Sequence, residues 1–477
     1  MKTMKNIFKT FFLFAVIGLS FLISCDSDFE EINTDPDEPT EISVDLQLGF
    51  IERSLINQLY NIYAAGECAS TWPQHISKPI YNDADRYYPR LGAINSFWNT
   101  IYLEVIGESD EMYRLAQEKE NNAVQGVALT LKAIALQTLT DAFGDIPASE
   151  ANLAMEGNYT PKYDTQQEVY VQIFELLDQA IAKFNTGVGA INSEQDLIYA
   201  GDTSKWLKFA TSVKFRALMR VSNTSLFSLQ ELMTLASSNN LIIHNADNAF
   251  IQFSGQTTPN INPHNDTKIN GREAEWCMGE ALVNFMLSEN DPRLPVYANP
   301  NDSNEYRGKP AGYINPGVSG YGAGTVSQIG DAFMAADAPL YFITAAQVNL
   351  LLAEASEIHG IGVNPEVYFY EGVSASLEQN GLDPLSYTPA YNGYQSIAEQ
   401  MWVGTFLQGY ETWAEWRRSD IPANLELAVD PQPGVNAIPT RYTYTTDEVA
   451  LNGSNVDEAV ANQGADALTT KVWWDNN

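Results

Sequence analysis

The sequence predicts a mainly α-helical fold broken by one long loop-rich stretch. Three observations predict it. Apolar residues recur at helical spacing through the first half of the chain, residues 241–341 abandon that spacing, and helical patterning then resumes as far as Arg418. In the last part, residues 345–381 read as helix, short turn and helix over about 37 residues. That is close to the tetratricopeptide unit of roughly 34 residues.

In chain order, residues 1–24 read as a lipoprotein signal peptide. Lys2, Lys5 and Lys9 precede the apolar run from Phe11 to Ile23, which is short for a membrane anchor, and the small Ser24 stands before Cys25. Cys25 then becomes the lipidated first residue of the mature protein, each buried CH₂ of its acyl chains contributing about 0.8 kcal/mol of anchoring. Residues 25–40 carry Asp26, Asp28, Glu30, Glu31, Asp35, Asp37 and Glu38 with Pro36 and Pro39, the composition of an acidic flexible tether. Residues 41–477 are expected to form a single helical domain with the loop-rich insert at about 241–341. The chain has 26 Lys+Arg against 60 Asp+Glu, a net charge of −34; the leader removes three lysines and no acid, so the mature charge is −37. Such a surface argues against nucleic acid and anionic lipid head groups as partners. Apart from Cys25 only Cys68 and Cys277 remain, and their pairing is open.

Each helix has a local reason. Val44, Leu48, Ile51, Leu55 and Leu59 form a stripe, as do Leu91, Ile94, Trp98, Ile101 and Val105 after Pro89. From about Asn122 to Ala142 apolar and alanine positions run round most of the circumference, predicting a helix packed on several sides and closed by Gly144 and Pro147. Thr165 and Glu168 make a capping-box pattern ahead of Val169, Ile173, Leu177, Ala180 and Phe184. Further helices are expected at Ser204–Val221, roughly 272–287, 344–358, 365–379 and 395–418. Beyond Pro422 the spacing predicts loops and one short hairpin. Trp206, Trp402, Trp413 and Trp416 sit on helical faces and read as core.

The chemistry-bearing residues are sparse. His75, His244, His264 and His359 are scattered, with no pair at metal-ligand spacing, so no metal ligands are assigned. Bound calcium is left open, since no Asp-rich calcium loop occurs. The Gly-Xaa-Ser-Xaa-Gly and phosphate-loop motifs are absent, and no catalytic residue or cofactor is assigned. Aromatics outside the helical stripes stand out instead: Trp72, Tyr81, Tyr87 and Tyr88 with Asp83 among them, and Tyr306, Tyr313 and Tyr321 in the Gly/Pro-rich segment. An aromatic face stacks on the C–H face of a pyranose while neighbouring polar groups meet its hydroxyls. On that reading, replacing Trp72, Tyr81 and Tyr88 by alanine weakens ligand binding with little change in melting temperature. The competing reading is that these rings pin a long loop onto the helical body.

Several segments together resemble the SusD/RagB family of nutrient-binding outer-membrane lipoproteins, and its SusD-like subgroup in particular. They are Cys25 with the acidic stretch to Pro36, Leu139-Thr-Asp-Ala-Phe-Gly-Asp-Ile-Pro147, the Trp206–Arg220 helix, Asn290-Asp-Pro-Arg-Leu294, Leu351-Leu-Ala-Glu-Ala355, Gly409–Arg418 and Val472-Trp-Trp-Asp475. The resemblance implies tetratricopeptide-like helix pairs forming a curved scaffold, with long loops and minor β structure on one side. It also implies a non-enzymatic role: capture of an oligomeric nutrient, expected to be an oligosaccharide, at the outer-membrane surface. The cargo then passes to a SusC-like TonB-dependent transporter over which the lipoprotein acts as a lid, with outer-membrane lipid engaged through Cys25. The family's binding loops vary, so no ligand residue is carried over by motif. Peptide import, a protein-docking scaffold and a secreted glycoside hydrolase are the alternatives.

Overall fold

The computed structural model describes residues 44–256 and 260–475; the leader, Cys25 and the acidic stretch to Thr40 lie outside the described residues. Leu48, Ile51 and Leu55 are buried along the Val44–Leu59 helix. Ile94, Trp98, Ile101 and Val105 are buried along a rod made of Leu91–Thr100, a π-helical stretch Ile101–Gly107 and Glu108–Glu118. The Asn122–Phe143 helix is buried almost all round, capped by Asn121 and ended by Gly144 at φ +86°. It is long and apolar enough to cross a membrane, yet it lies inside the protein as a core helix. The capping box forms both its bonds, Glu168 N–H to Thr165 Oγ1 at 3.3 Å and Thr165 N–H to the Glu168 carboxylate at 2.9 Å, and opens Gln166–Asn185.

These helices pack in pairs. Asn122–Phe143 lies along Gln166–Asn185, Ala345–His359 along Pro365–Gln379, and Thr203–Arg220 against Gln166–Asn185. Tyr394–Gly404 joins Ala345–His359 to Gly409–Ser419, completing a mainly helical, tetratricopeptide-like scaffold.

A buried ionic network crosses that scaffold. Arg220, with no exposed side chain, donates to Asp141 at 2.8 Å, Glu411 at 2.5 Å and Glu415 at 3.0 Å. Arg418 pairs with Glu354 and, at 2.6 Å, with Glu415. Arg417 donates to the Asp141 carbonyl at 2.6 Å, and the Trp474 indole to the Asp141 carboxylate at 2.8 Å. Five of the segments that carried the family resemblance therefore meet at one place. Each charge needs the others, because a buried ion without a partner costs several kcal/mol.

Strands are few and short: Ile76–Ser77 with Cys277–Met278, Ala249–Ile251 with Leu340–Ile343, and Ala298–Asn299 with Gln328–Ile329, all antiparallel. A second apolar cluster lies under the loop-rich region, built from Trp276, Met278, Leu282, Met286 and Tyr297 with Trp402, Phe406 and Leu407.

This cluster explains two departures from the sequence expectations. The helix expected over roughly 272–287 begins only at Glu280, because Cys277–Met278 is drawn into strand pairing. The helix expected over 395–418 is two helices, broken where Leu407 adopts φ +62° and Phe406 stacks on Tyr297 at 4.4 Å. The tail also differs: Thr446–Leu451 and Gly453–Gln463 are helices, and no strand pair is present after Pro422 among the described residues. Cys68 and Cys277 are free, buried thiols.

Candidate functional site

Three loops meet one another. The first runs through Tyr81–Tyr88, the second through Arg307–Thr325 and the third through Leu427–Gln432. A buried ion pair clips the first two together: Lys309 Nζ donates to Asp85 at 2.5 Å with neither side chain exposed. The Asp85 carboxylate also accepts from Ser77 Oγ at 2.9 Å and from the Gly312 N–H at 3.1 Å. Gly312 sits at φ +79°, and a Cβ there would collide with Ala428, so only glycine lets the second loop pass this close to the third. The third loop is tied in by Arg86 Nε donating to the Asp430 carbonyl at 2.9 Å and by the Ile314 N–H donating to the Asp430 carboxylate at 2.8 Å.

On this base stands an aromatic platform. Tyr313 and Tyr321 stack with centroids 5.2 Å apart and planes 30° from parallel. The Arg307 guanidinium lies 4.6 Å from the Tyr321 centroid and donates to the Gly320 carbonyl at 3.0 Å, fixing the loop that carries the ring. Asn82 donates to the Tyr313 carbonyl, placing the first loop beside the pair. Its neighbours Tyr81 and Asp83 are exposed, and Tyr88 is half-buried 5.3 Å from the Arg86 guanidinium. Stacking rings flanked by a carboxylate and guanidinium groups suit a ligand with alternating apolar faces and hydroxyl edges.

A family profile described as "Starch-binding associating with outer membrane", SusD-like, matches residues 36–445. The chain belongs to the SusD-like family. A chitin-binding protein of known structure superposes with a TM-score of 0.80 at 26% identity, covering 91% of this chain and 100% of its own. A chitin-binding SusD homologue from Flavobacterium johnsoniae gives 0.77 at 22% identity, covering 91% and 97%. A SusD homologue from Bacteroides uniformis gives 0.79 at 23% identity, covering 90% and 99%. No curated protein matches the sequence.

Within this SusD-like protein the sequence candidates separate into two groups. Trp72 and Tyr87 are each 1% exposed and belong to the core, offering no face to a ligand. Trp72 packs edge-on against Trp413 at 5.0 Å and Tyr442 at 5.5 Å and donates to the Ala84 carbonyl at 3.2 Å. Tyr87 accepts from the Ala428 N–H at 2.8 Å, and burial holds its phenol well above the ordinary range. These two rings pin the loop from beneath. Tyr306 packs on the second apolar cluster. Tyr81, Asp83, Tyr88, Tyr313 and Tyr321 remain at the surface of the three loops.

Sequence reading missed Arg307, Asp430 and the Asp85–Lys309 clip. The one available signal was the turn-forming Asp-Pro-Gln-Pro-Gly run at 430–434, which marks the third loop without saying what it touches. No cluster of three His, Cys, Asp or Glu able to hold a metal occurs among the described residues.

Proposed function

We propose that this protein is a lipid-anchored outer-membrane surface protein that captures an oligosaccharide on the Tyr81–Tyr88–Tyr313–Tyr321 platform. It then delivers the cargo to a SusC-like TonB-dependent transporter. The observation that carries the reading is the Tyr313–Tyr321 stack, held by Arg307 and clipped to the first loop through Asp85–Lys309. Family membership, with its starch-binding and outer-membrane description, and the chitin-binding structural relatives support a glycan over other cargo. The Cys25 leader pattern supports the lipid anchor. A few stacked rings at about 1 kcal/mol each, with hydrogen bonds to hydroxyls, give micromolar or weaker affinity. Weak binding suits a protein that must release what it captures, and no covalent step is needed.

The test is calorimetry of the soluble chain, begun after Cys25, against arrays of purified oligosaccharides and peptide pools, with product analysis alongside. Saturable binding of one glycan class without cleavage supports the reading. Release of reducing ends makes the protein a hydrolase, and binding of peptides alone moves it to peptide import.

A further inference from the structure

Glu52 is fully buried on the Val44–Leu59 helix, which also buries Leu48 and Leu55. Its Oε2 accepts the Leu197 N–H at 2.7 Å, and its Oε1 has no hydrogen-bond donor. Within hydrogen-bond reach of it stands Asp196, 4% exposed, in the loop that leads into the Thr203–Arg220 helix. The Asp196 carboxylate accepts the N–H groups of Ile198 at 3.0 Å, Tyr199 at 2.9 Å and Gly201 at 2.8 Å, and the Trp206 indole at 2.8 Å. Helix and loop are pressed together here, since a Cβ added at Gly49 would lie 3.0 Å from the Gln195 carbonyl oxygen. No cation makes an ion pair with either carboxyl among the described residues.

We propose that Glu52 keeps its proton at neutral pH and donates it to Asp196, and that this bond latches the first helix to the scaffold until alkaline conditions remove the proton.

Two buried carboxylates side by side repel, and each needs its own donors. Asp196 has them and Glu52 does not. A proton on the bare Glu52 oxygen removes the repulsion and turns that oxygen into a donor to Asp196. Burial first, and then the Asp196 charge, hold the Glu52 carboxyl well above its ordinary 4.5; the Leu197 N–H opposes, and Arg53, next on the same helix, opposes least. The other charged groups on the packed elements are engaged elsewhere. On the neighbouring rod Glu104 accepts from Ser54 at 2.8 Å and Glu108 from Gln47 at 3.4 Å. Lys132 of the Asn122–Phe143 helix is paired with Asp110, and Glu67 with Lys78. Beyond the loop, Lys205 donates to the Ala246 carbonyl, Lys208 to Asp247 and the Tyr199 phenol to the Asp247 carbonyl. A group raised in the folded protein stabilises it fully below its ordinary value and progressively less as pH rises towards the folded one. The proton then leaves to solvent, and the bare pair pushes helix from loop. Residues 25–43 join the body at this helix, so the latch sits where the proposed lipid anchor attaches.

The test is hydrogen exchange of the soluble chain, begun after Cys25, against its Glu52→Gln variant from about pH 6 to about pH 8, each pair compared at one pH so that intrinsic exchange cancels. A glutamine amide reproduces the protonated carboxyl, accepting from Leu197 and donating to Asp196. Opening of residues 44–59 in the wild type relative to the variant should grow about tenfold per pH unit, the slope of a single proton, with no such trend in the other helices. Glu104→Gln, on the rod beside the same helix, is the control and should leave the pH dependence in place. Infrared difference spectra of wild type and Glu52→Gln at neutral pH read the proton directly. The wild-type chain alone should lose the same protonated-carboxyl band on titration to alkaline pH, a readout that survives even if the variant folds poorly. A ratio that stays flat with pH, an opening spread evenly over all helices, or a neutral-pH spectrum with no protonated carboxyl assignable to Glu52 would overturn the proposal.

Discussion

Tyr321 and Trp72 are both loop-borne aromatics in the sequence, and their substitutions should behave in opposite ways. Tyr321→Ala removes one ring of the half-buried surface stack and is expected to weaken oligosaccharide binding by about 1 kcal/mol, five- to tenfold, with little change in melting temperature. Trp72→Ala empties a fully buried site between Trp413 and Tyr442 and should cost about 3–5 kcal/mol in urea unfolding. A triple substitution that includes Trp72 therefore tests stability rather than binding. Two buried histidines set a pH dependence at the same scale. Burial lowers His75 to about 3 and His264 to about 4, from an ordinary 6.5. His75 Nε2 donates to the Trp402 carbonyl at 2.8 Å, and its Nδ1 has no partner to receive a second proton's charge. The unfolded chain binds protons below about pH 6.5 that the folded chain refuses, so this contribution is complete above that pH and drains away as pH falls. At pH 5 each histidine should cost about 2 kcal/mol. Denaturant titrations from pH 7.5 to 5 check this; a slope unaltered by His75→Gln would exclude His75 as a source.

Two of the charged joints between elements can be broken separately. Arg220 ties the helices carrying Asp141, Glu411 and Glu415 to its own, so Arg220→Met leaves three carboxylates buried around an apolar side chain. The expected loss is about 3–5 kcal/mol, read by chemical unfolding. The Asp85–Lys309 clip joins loops rather than helices. Asp85→Asn should both destabilise the protein and abolish oligosaccharide binding, because it leaves the Lys309 ammonium buried without a counter-charge. The double change Asp85→Leu with Lys309→Met should recover much of the stability, as apolar replacements of buried pairs do. Binding should stay lost, because the Gly312 N–H no longer has its carboxylate acceptor and the second loop loses its seat. Calorimetry on the double variant decides whether the clip positions the platform or only stabilises it.

At the scale of the whole molecule the net charge of −34 governs which ligands can approach. Neutral oligosaccharides should bind with the same affinity at 50 and at about 500 mM salt, since stacking and hydroxyl hydrogen bonds carry no screened term. Sulfated or uronic-acid oligomers should bind more weakly than neutral ones of equal length and recover as salt rises. DNA and anionic vesicles should not bind the lipid-free chain at all. Titrations across ionic strength check all three, and a neutral oligomer whose affinity falls steeply with salt would contradict a platform of stacked rings.

Most helices of the first half of the chain are legible in the amino-acid sequence by itself, because an amphipathic stripe, a capping box and a terminal glycine act within a few residues of one another. Thr165 and Glu168 are the clearest case, and Asn122–Phe143 the next. The aromatic richness of the two candidate loops is equally visible there. Which rings face outward is not. Trp72 and Tyr87 differ from Tyr81 and Tyr88 only in contacts with Trp413, Tyr442 and Ala428, more than 300 residues away in the chain. The same long-range packing draws Phe406 and Leu407 into the second apolar cluster and breaks a helix whose local pattern is continuous. The turn run at 430–434 marks the loop of Asp430 but not its partners, and Arg307 and the Asp85–Lys309 clip have no local signature, since a buried ion pair is defined by the partner the fold brings to it and not by its neighbours in sequence.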